Sequence, residues 1–280
     1  MKIGLVLEGG GMRGLFTAGV LDVLLDQQIK INTIVSVSAG ALFGVNYASN
    51  QKGRVLRYNL NYLGDKRYMS FHSLLTTGNI VNKDFAFYEL PFTLDPFDQA
   101  AFAQSSVEFY ATLTNVENGQ PEYRKITDVF EEMEVFRATS AMPFVSNIVM
   151  LDDKPYLDGG IADSIPLDFA QTLGCDKLIV VLTRPTDYRK KKMPTLFPKL
   201  FYRKYPKLVE ALLNRHEVYN QQLDNVLQEE KAGNIFVVRP SETLKIGRLE
   251  KDPDKIKAMY QLGVQDMQAE LQDLKDYLTR

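Results

Sequence analysis

The stretch Ile34-Val35-Ser36-Val37-Ser38-Ala39-Gly40-Ala41-Leu42 changes character at its middle. Residues 32–37 are rich in β-branched side chains, as suits a buried strand. Residues 39–47 carry small and apolar side chains at helical spacing, so a helix is expected to begin at once. Ser38 falls at the corner. A serine on a sharp strand-to-helix turn is held out of the sheet with its hydroxyl at the helix N-terminus. That is the geometry of a nucleophile elbow, and it needs small neighbours because larger ones clash in the turn. The usual pattern is Gly-x-Ser-x-Gly; here Ser36 stands in the first position and Gly40 in the last. Turn serines are common, so the rest of the chain has to decide what Ser38 is for.

Upstream, residues 2–7 form a short apolar run, expected to be the first and central strand. Glu8-Gly9-Gly10-Gly11-Met12-Arg13-Gly14 follows, and then an amphipathic helix to about residue 28. A glycine loop between strand and helix offers unpaired backbone N–H groups to an anion. Gly9-x-Gly11-x-x-Gly14 matches the dinucleotide-binding fingerprint formally. That fingerprint also needs a carboxylate at the end of the next strand to hold a ribose, and that strand ends in Ser36-Val37-Ser38. There is no Gly-Lys-Ser/Thr for a nucleoside triphosphate. The loop reads better as a cradle for an anion formed during reaction; a tight turn that packs helix on sheet is the plainer alternative.

Downstream, a helix is expected over 51–68 and an irregular, aromatic, proline-containing excursion over 71–102, suited to covering a site. Residues 107–115 and 122–126 read as a hairpin, followed by a helix over 127–138 with Thr127 as its N-cap. A second hairpin, 148–151 with 155–157, delivers Asp158-Gly159-Gly160 at a strand end. Helix after Pro166, strand over 177–182, helix over 208–231, strand over 234–239 and one long helix over 254–278 complete the pattern.

The 280 residues are 45% hydrophobic and 24% charged, enough for one large α/β domain with an appendage. A net charge of −2 gives no reason to expect nucleic acid. The lone cysteine, Cys175, excludes an internal disulfide and a multi-cysteine metal site, fits a reducing compartment, and is expected to be buried. No signal peptide or apolar run long enough for a membrane span is apparent, so a cytoplasmic protein is expected. Between residues 184 and 207 nine basic side chains face one acid, Asp187, with aromatic and leucine side chains interleaved. This stretch is either a solvated connection or a surface for peripheral contact with anionic lipid at the inner face of the membrane.

Only two histidines are present, His72 and His216, and neither lies in a catalytic context. A Ser–His–Asp triad is therefore disfavoured, and a dyad of Ser38 and Asp158 is the economical reading. No metal or cofactor is called for.

Gly9-Gly10-Gly11-Met12-Arg13-Gly14, Ser36-Val37-Ser38-Ala39-Gly40 and Asp158-Gly159-Gly160, in that order, resemble the motifs of the patatin-like phospholipases. Ser140-Ala141-Met142-Pro143 adds to the likeness, which covers roughly residues 1–185. The resemblance implies an α/β three-layer sandwich with a mainly parallel central sheet, formed by a catalytic domain over 1–185. Residues 186–280 are expected to be a mainly helical C-terminal extension packed on it. It implies a lipid ester as substrate, Ser38 as nucleophile and Asp158 as its base. The oxyanion hole would come from Gly9, Gly10, Gly11 and Met12, with Gly10 and Gly11 the best donors. Arg13 would brace the loop and favour an anion, with Gly14, Ser36, Gly40, Gly159 and Gly160 supporting. Two other readings stand beside it: a lipid- or acyl-binding protein whose chemistry is lost, kept open by Ser36, and a nucleotide-binding α/β protein.

Overall fold

The computed structural model describes residues 1–280. Five parallel strands form most of one sheet and reach one of its edges, in the order β3 (Glu108–Asn115), β2 (Thr33–Val37), β1 (Ile3–Leu7), β7 (Lys177–Val181) and β8 (Ile235–Val238). Three antiparallel strands complete it: β4 (Pro121–Ile126), β5 (Val149–Leu151) and β6 (Lys154–Asp158). β1, β7 and β8 are apolar almost throughout, and β2 is wholly buried, because both faces are covered.

Alternate side chains feed two cores. Leu5, Leu7, Ile34, Ile179 and Val181 point to one face, where α1 (Leu15–Asp26), α2 (Ala39–Ala48) and α10 (Pro253–Ala269) pack. Val6, Val35, Leu178 and Val180 point to the other, against α7 (Leu167–Gln171) and α9 (Pro206–Lys231). The result is a helix–sheet–helix sandwich, as the family resemblance implied.

Register explains the site. One edge of β3 is taken by β4 from Phe109 to Thr114. The other edge takes β2 as far as the Val37–Thr112 pair, and then β6 running the opposite way from the Asp158–Leu113 pair. Two strands thus end head to head on one edge, and the residues at their ends, Ser38 and Asp158, meet.

Several expected elements differ. The first helix of the stretch 51–68 is α3, Arg54–Asn61; Gly64 and Asp65, poor helix formers, follow in turns. The excursion 71–102 is mostly helical: α4 (Phe71–Thr77), a wide π-helical stretch over Asp84–Leu94, and α5 (Gln99–Gln104). Side-chain caps from Ser70 and Asp98 start α4 and α5. Thr127 is no N-cap. Its N–H and that of Asp128 donate to the Glu132 carboxylate at 2.6 and 3.0 Å, which holds a turn, so α6 begins only at Met133 and runs to Thr139.

The long C-terminal helix breaks at Glu270 into α10 and α11 (Leu271–Thr279). The break turns Tyr277 back to the sheet, where its hydroxyl donates to the Asn234 carbonyl at 2.9 Å. Cys175 is half-buried rather than buried, its sulfur lying where a side chain on Gly4 would go. The C-terminal region also contributes β8, so it is not purely helical. No helix is long and apolar enough to cross a membrane.

Candidate active site

Ser38 sits at the expected corner, between the last residue of β2 and the first of α2, with φ +54° and ψ −123°. A non-glycine residue rarely holds positive φ. Here the turn is clamped: the Ser38 N–H donates to Thr139 Oγ1 at 2.9 Å, and Thr139 Oγ1 donates to the Thr112 carbonyl at 2.6 Å. Ser36, where glycine is usual, is fully buried and donates its hydroxyl to the Tyr110 carbonyl at 2.7 Å. The hydroxyl is thus spent on the neighbouring strand and does not crowd the turn. Gly40 lies against the backbone of Leu7, where a Cβ would come within 2.7 Å of the carbonyl oxygen.

Ser38 Oγ donates to Asp158 Oδ2 at 2.7 Å. The second oxygen, Oδ1, accepts the Gly160 N–H at 2.8 Å. Both side chains are buried, Ser38 at 8% and Asp158 at 6% exposure. Gly159 must be glycine, since a Cβ there would lie 2.1 Å from the Thr112 carbonyl oxygen. The 2.7 Å contact has the length of a charge-assisted O–H···O bond, which suits a carboxylate set to take the hydroxyl proton.

The glycine loop runs beside this pair. The N–H groups of Gly10 and Gly11 carry no intramolecular hydrogen bond, whereas that of Met12 donates to the Arg248 carbonyl at 3.1 Å. Met12 is therefore a poorer donor for an incoming oxyanion than Gly10 and Gly11, for a reason that lies more than two hundred residues away in sequence. Gly9 offers its carbonyl to Thr183 Oγ1 at 3.3 Å, and Gly14 packs against Phe43 and Ala39. Arg13 does not brace the loop through hydrogen bonds: it is 8% exposed, and its Nε is buried with no partner.

Ser38 lies on the boundary of two cavities of opposite character. One, about 150 Å³, is lined largely by apolar side chains, among them Met12, Leu42, Phe87, Leu90 and Phe136. The excursion expected to cover the site does so: Val81, Phe87, Leu90 and Phe97 form one wall, joined by Met69 just before it. The other cavity, about 30 Å³, is lined by Glu8, Arg13, Arg184, Lys190, Arg215 and Arg248 together with Ser38 and Asp158.

Of these basic residues only Arg13 was singled out from the sequence; Arg184, Lys190, Arg215 and Arg248 escaped it. Arg184 and Lys190 belong to the basic stretch assigned to solvent or lipid, yet they turn inward. Arg215 sits in α9 and Arg248 in the loop before α10, neither in any local motif. Glu8, next to the glycines, is buried and accepts the Tyr219 hydroxyl at 2.7 Å and the Thr183 N–H at 2.6 Å. A buried carboxylate directly after an apolar strand was the one available signal. His72 is exposed and His216 bonds to the Leu213 carbonyl; neither lines the Ser38 cavities.

Comparison with known proteins follows this geometry. A family model described as patatin-like phospholipase matches residues 5–170, and one described as a domain of unknown function (DUF6363) matches residues 205–279. The uncharacterized protein YjjU of Escherichia coli (strain K12) is 32% identical over 191 residues, covering 66% of this chain and 53% of that protein. Lysophospholipase nte1 of Aspergillus fumigatus is 26% identical over 194 residues, covering 64% of this chain and 12% of that one. The chain thus spans about half the length of the first and a small part of the second. The crystal structure of VipD from Legionella pneumophila superposes with a TM-score of 0.50 at 11% identity, over 97% of this chain and 67% of that one, a likeness of fold alone.

Proposed function

Because the chain belongs to the patatin-like phospholipase family, we propose that it is a serine hydrolase that cleaves carboxylic esters of lipids through Ser38 and Asp158. The observation that carries this reading is the 2.7 Å hydrogen bond from Ser38 Oγ to Asp158 Oδ2 at the mouth of an apolar cavity. Ser38 Oγ attacks the ester carbonyl carbon while its proton passes to Asp158. The oxyanion is held by the N–H groups of Gly10 and Gly11. Collapse expels the alcohol, which takes the proton from Asp158, and leaves an acyl-serine. Water then attacks the acyl carbon, gives its proton to Asp158, and the fatty acid departs as Ser38 recovers its hydrogen. Burial of the pair keeps water from weakening the hydrogen bond on which this base depends.

The test is hydrolysis of a monoacyl lipid ester by the wild type, Ser38→Ala and Asp158→Asn. Each variant is expected to lose roughly 10³-fold or more in kcat. Retention of rate in folded Asp158→Asn removes the dyad.

On this reading residues 1–185 are the catalytic domain, and residues 186–280 pack on it and complete its site. The short helix α8 (Leu196–Phe201) is the proposed membrane contact. It exposes Leu196, Phe197, Leu200 and Phe201 beside Lys199, Arg203 and Lys204. Tyr202, just after it, accepts the Phe144 N–H at 2.9 Å, which ties α8 to the loop carrying Met142 and Pro143 at the site. Apolar side chains ringed by lysines favour an anionic bilayer. Phosphatidylglycerol vesicles should sediment the protein and phosphatidylcholine vesicles should not; equal binding, or none, returns α8 to a structural role.

A further inference from the structure

Five cationic side chains converge on the small polar cavity beside Ser38: Arg13, Arg184, Lys190, Arg215 and Arg248. None of them has a carboxylate within ion-pair distance, although seventeen such pairs form elsewhere in the chain, from Met1–Asp176 to Lys255–Asp252. The Nε atoms of Arg13 and Arg215 are buried with no hydrogen-bond partner. The two carboxylates in the cavity are already engaged, Glu8 by Tyr219 and Thr183, Asp158 by Ser38 and Gly160. Five cations against two carboxylates leave a formal excess of three positive charges. Arg13 is buried, Arg184, Lys190 and Arg215 are half-buried, and Arg248 is exposed at the rim; unpaired charge withdrawn from water is expensive, and a fold retains it where a ligand of opposite charge repays it.

The strain is visible in the groups themselves. Burial pushes Lys190 down to about 7, with Arg215 and Arg248 adding repulsion. Burial also pushes Arg13 down to about 10, helped by Arg184 and Arg248.

Resting on the hydrolase reading above, we propose that this cavity is a head-group subsite for a dianionic phosphate, so that the substrate is an acyl lipid ending in a phosphomonoester. Three observations favour that chemistry. Guanidinium groups from separate elements match phosphate oxygens with paired N–H donors. The cavity is small, about 30 Å³, and lined mainly by charged and polar residues, which suits a compact anion. The aromatic faces that a quaternary ammonium would need are already covered, Tyr188 by Arg184 at 4.3 Å and Tyr219 by Lys190 at 4.1 Å. A choline or ethanolamine head group would meet like charge. The acyl chain would take the apolar cavity on the other side of Ser38, placing the ester between them. Lys190, Arg215 and Arg248 lie beyond the residues matched by the patatin-like model, so the C-terminal region would set head-group specificity.

Calorimetric titration of the Ser38→Ala protein, residues 1–280, separates binding from catalysis. The probes are short-chain lysophosphatidic acid, the matching monoacylglycerol, the matching lysophosphatidylcholine and inorganic phosphate. Lysophosphatidic acid should bind at least ~10-fold more tightly than the other three. Lys190→Gln should remove most of that preference and Lys190→Arg restore it; Arg215→Gln supplies a second reading if the first variant fails to fold. At pH 8 binding should take up a proton, because the phosphate raises Lys190 toward its ordinary range, with Glu8, Arg13, Arg215, Arg248 and the tyrosines as its other neighbours. Equal affinity for the three lipids overturns the subsite while leaving the hydrolase intact. Inorganic phosphate binding as tightly as the lipid makes the cavity a free-phosphate site and overturns the substrate assignment. Phosphate-lipid preference in a chain whose Ser38 resists acylation would instead sink the hydrolase reading alone.

Discussion

The Arg248 carbonyl accepts the Met12 N–H at 3.1 Å, so a loop near the C-terminus fixes the glycine turn near the N-terminus. The contact requires glycine beside it: Gly11 has φ +57°, and a Cβ there would lie 2.5 Å from the same carbonyl oxygen. Gly11→Ala should lower stability by about 1–3 kcal/mol and cut kcat by roughly 10²-fold, since the loop that aims the oxyanion donors must shift. Urea denaturation and steady-state rates check this; unchanged kcat in the variant would show that the loop admits a side chain at position 11 without moving its donors.

Ser38 holds a backbone conformation that a side chain disfavours. Ser38→Ala and Ser38→Gly both remove the hydroxyl and its bond to Asp158, but only glycine relieves the turn. The glycine variant should be the more stable of the two by about 1 kcal/mol. A glycine variant less stable than the alanine one would mean the corner is not strained.

The C-terminal region is held by backbone contact. A Cβ on Gly263 of α10 would lie 2.1 Å from the Phe16 carbonyl oxygen, and one on Gly19 of α1 would lie 2.2 Å from that of Tyr260. Gly263→Ala should cost about 1–3 kcal/mol by forcing the helices apart. Because Arg248 precedes α10, the same variant should also loosen the glycine loop and lower kcat. A stable, fully active variant would place α10 outside the catalytic unit.

Lys190 makes stability depend on pH. Its pKa falls from the usual 10.5 to about 7 on folding, so between those values the unfolded chain binds more protons than the native one. Stability from this group therefore rises with pH from about 7 to 10.5 and is lowest below 7, where a charged lysine must be buried. Lys190→Gln should raise the Tm at pH 6 more than at pH 10 in phosphate-free buffer. The reverse order contradicts the burial argument.

Glu270, at the break between α10 and α11, runs the other way. Burial and the nearby Asp266 push it up to about 7, so its contribution is present below pH 4.5 and is lost as pH rises through 7. Glu270→Gln should stabilise the chain at pH 8 and leave it unchanged at pH 4. Melting curves at the two values decide.

The three motif segments were legible because each is local. A β-branched run breaking at Ser38, glycines after an apolar strand, and Asp158 before paired glycines each carry their geometry in a few residues. The layers followed from the family resemblance those segments carry. What stayed hidden was non-local. The antiparallel arrival of β6 on the edge of β3 depends on register, not on spacing. The basic cavity draws on Arg13, Arg184, Lys190, Arg215 and Arg248, spread from the first turn of the chain to the loop before α10. Charge clustering between 184 and 207 suggested a surface, because sequence cannot tell which lysines of a run face inward. Helix ends were misplaced where side chains such as Glu132 tied off a turn that propensity would have made helical.

The most direct test of the central claim is reaction with a fluorophosphonate followed by peptide mapping, beside a Ser38→Ala control. The account predicts a single adduct on Ser38, absent from the control and slowed strongly in Asp158→Asn. A folded wild type that takes no adduct, or takes it on another serine, would contradict it.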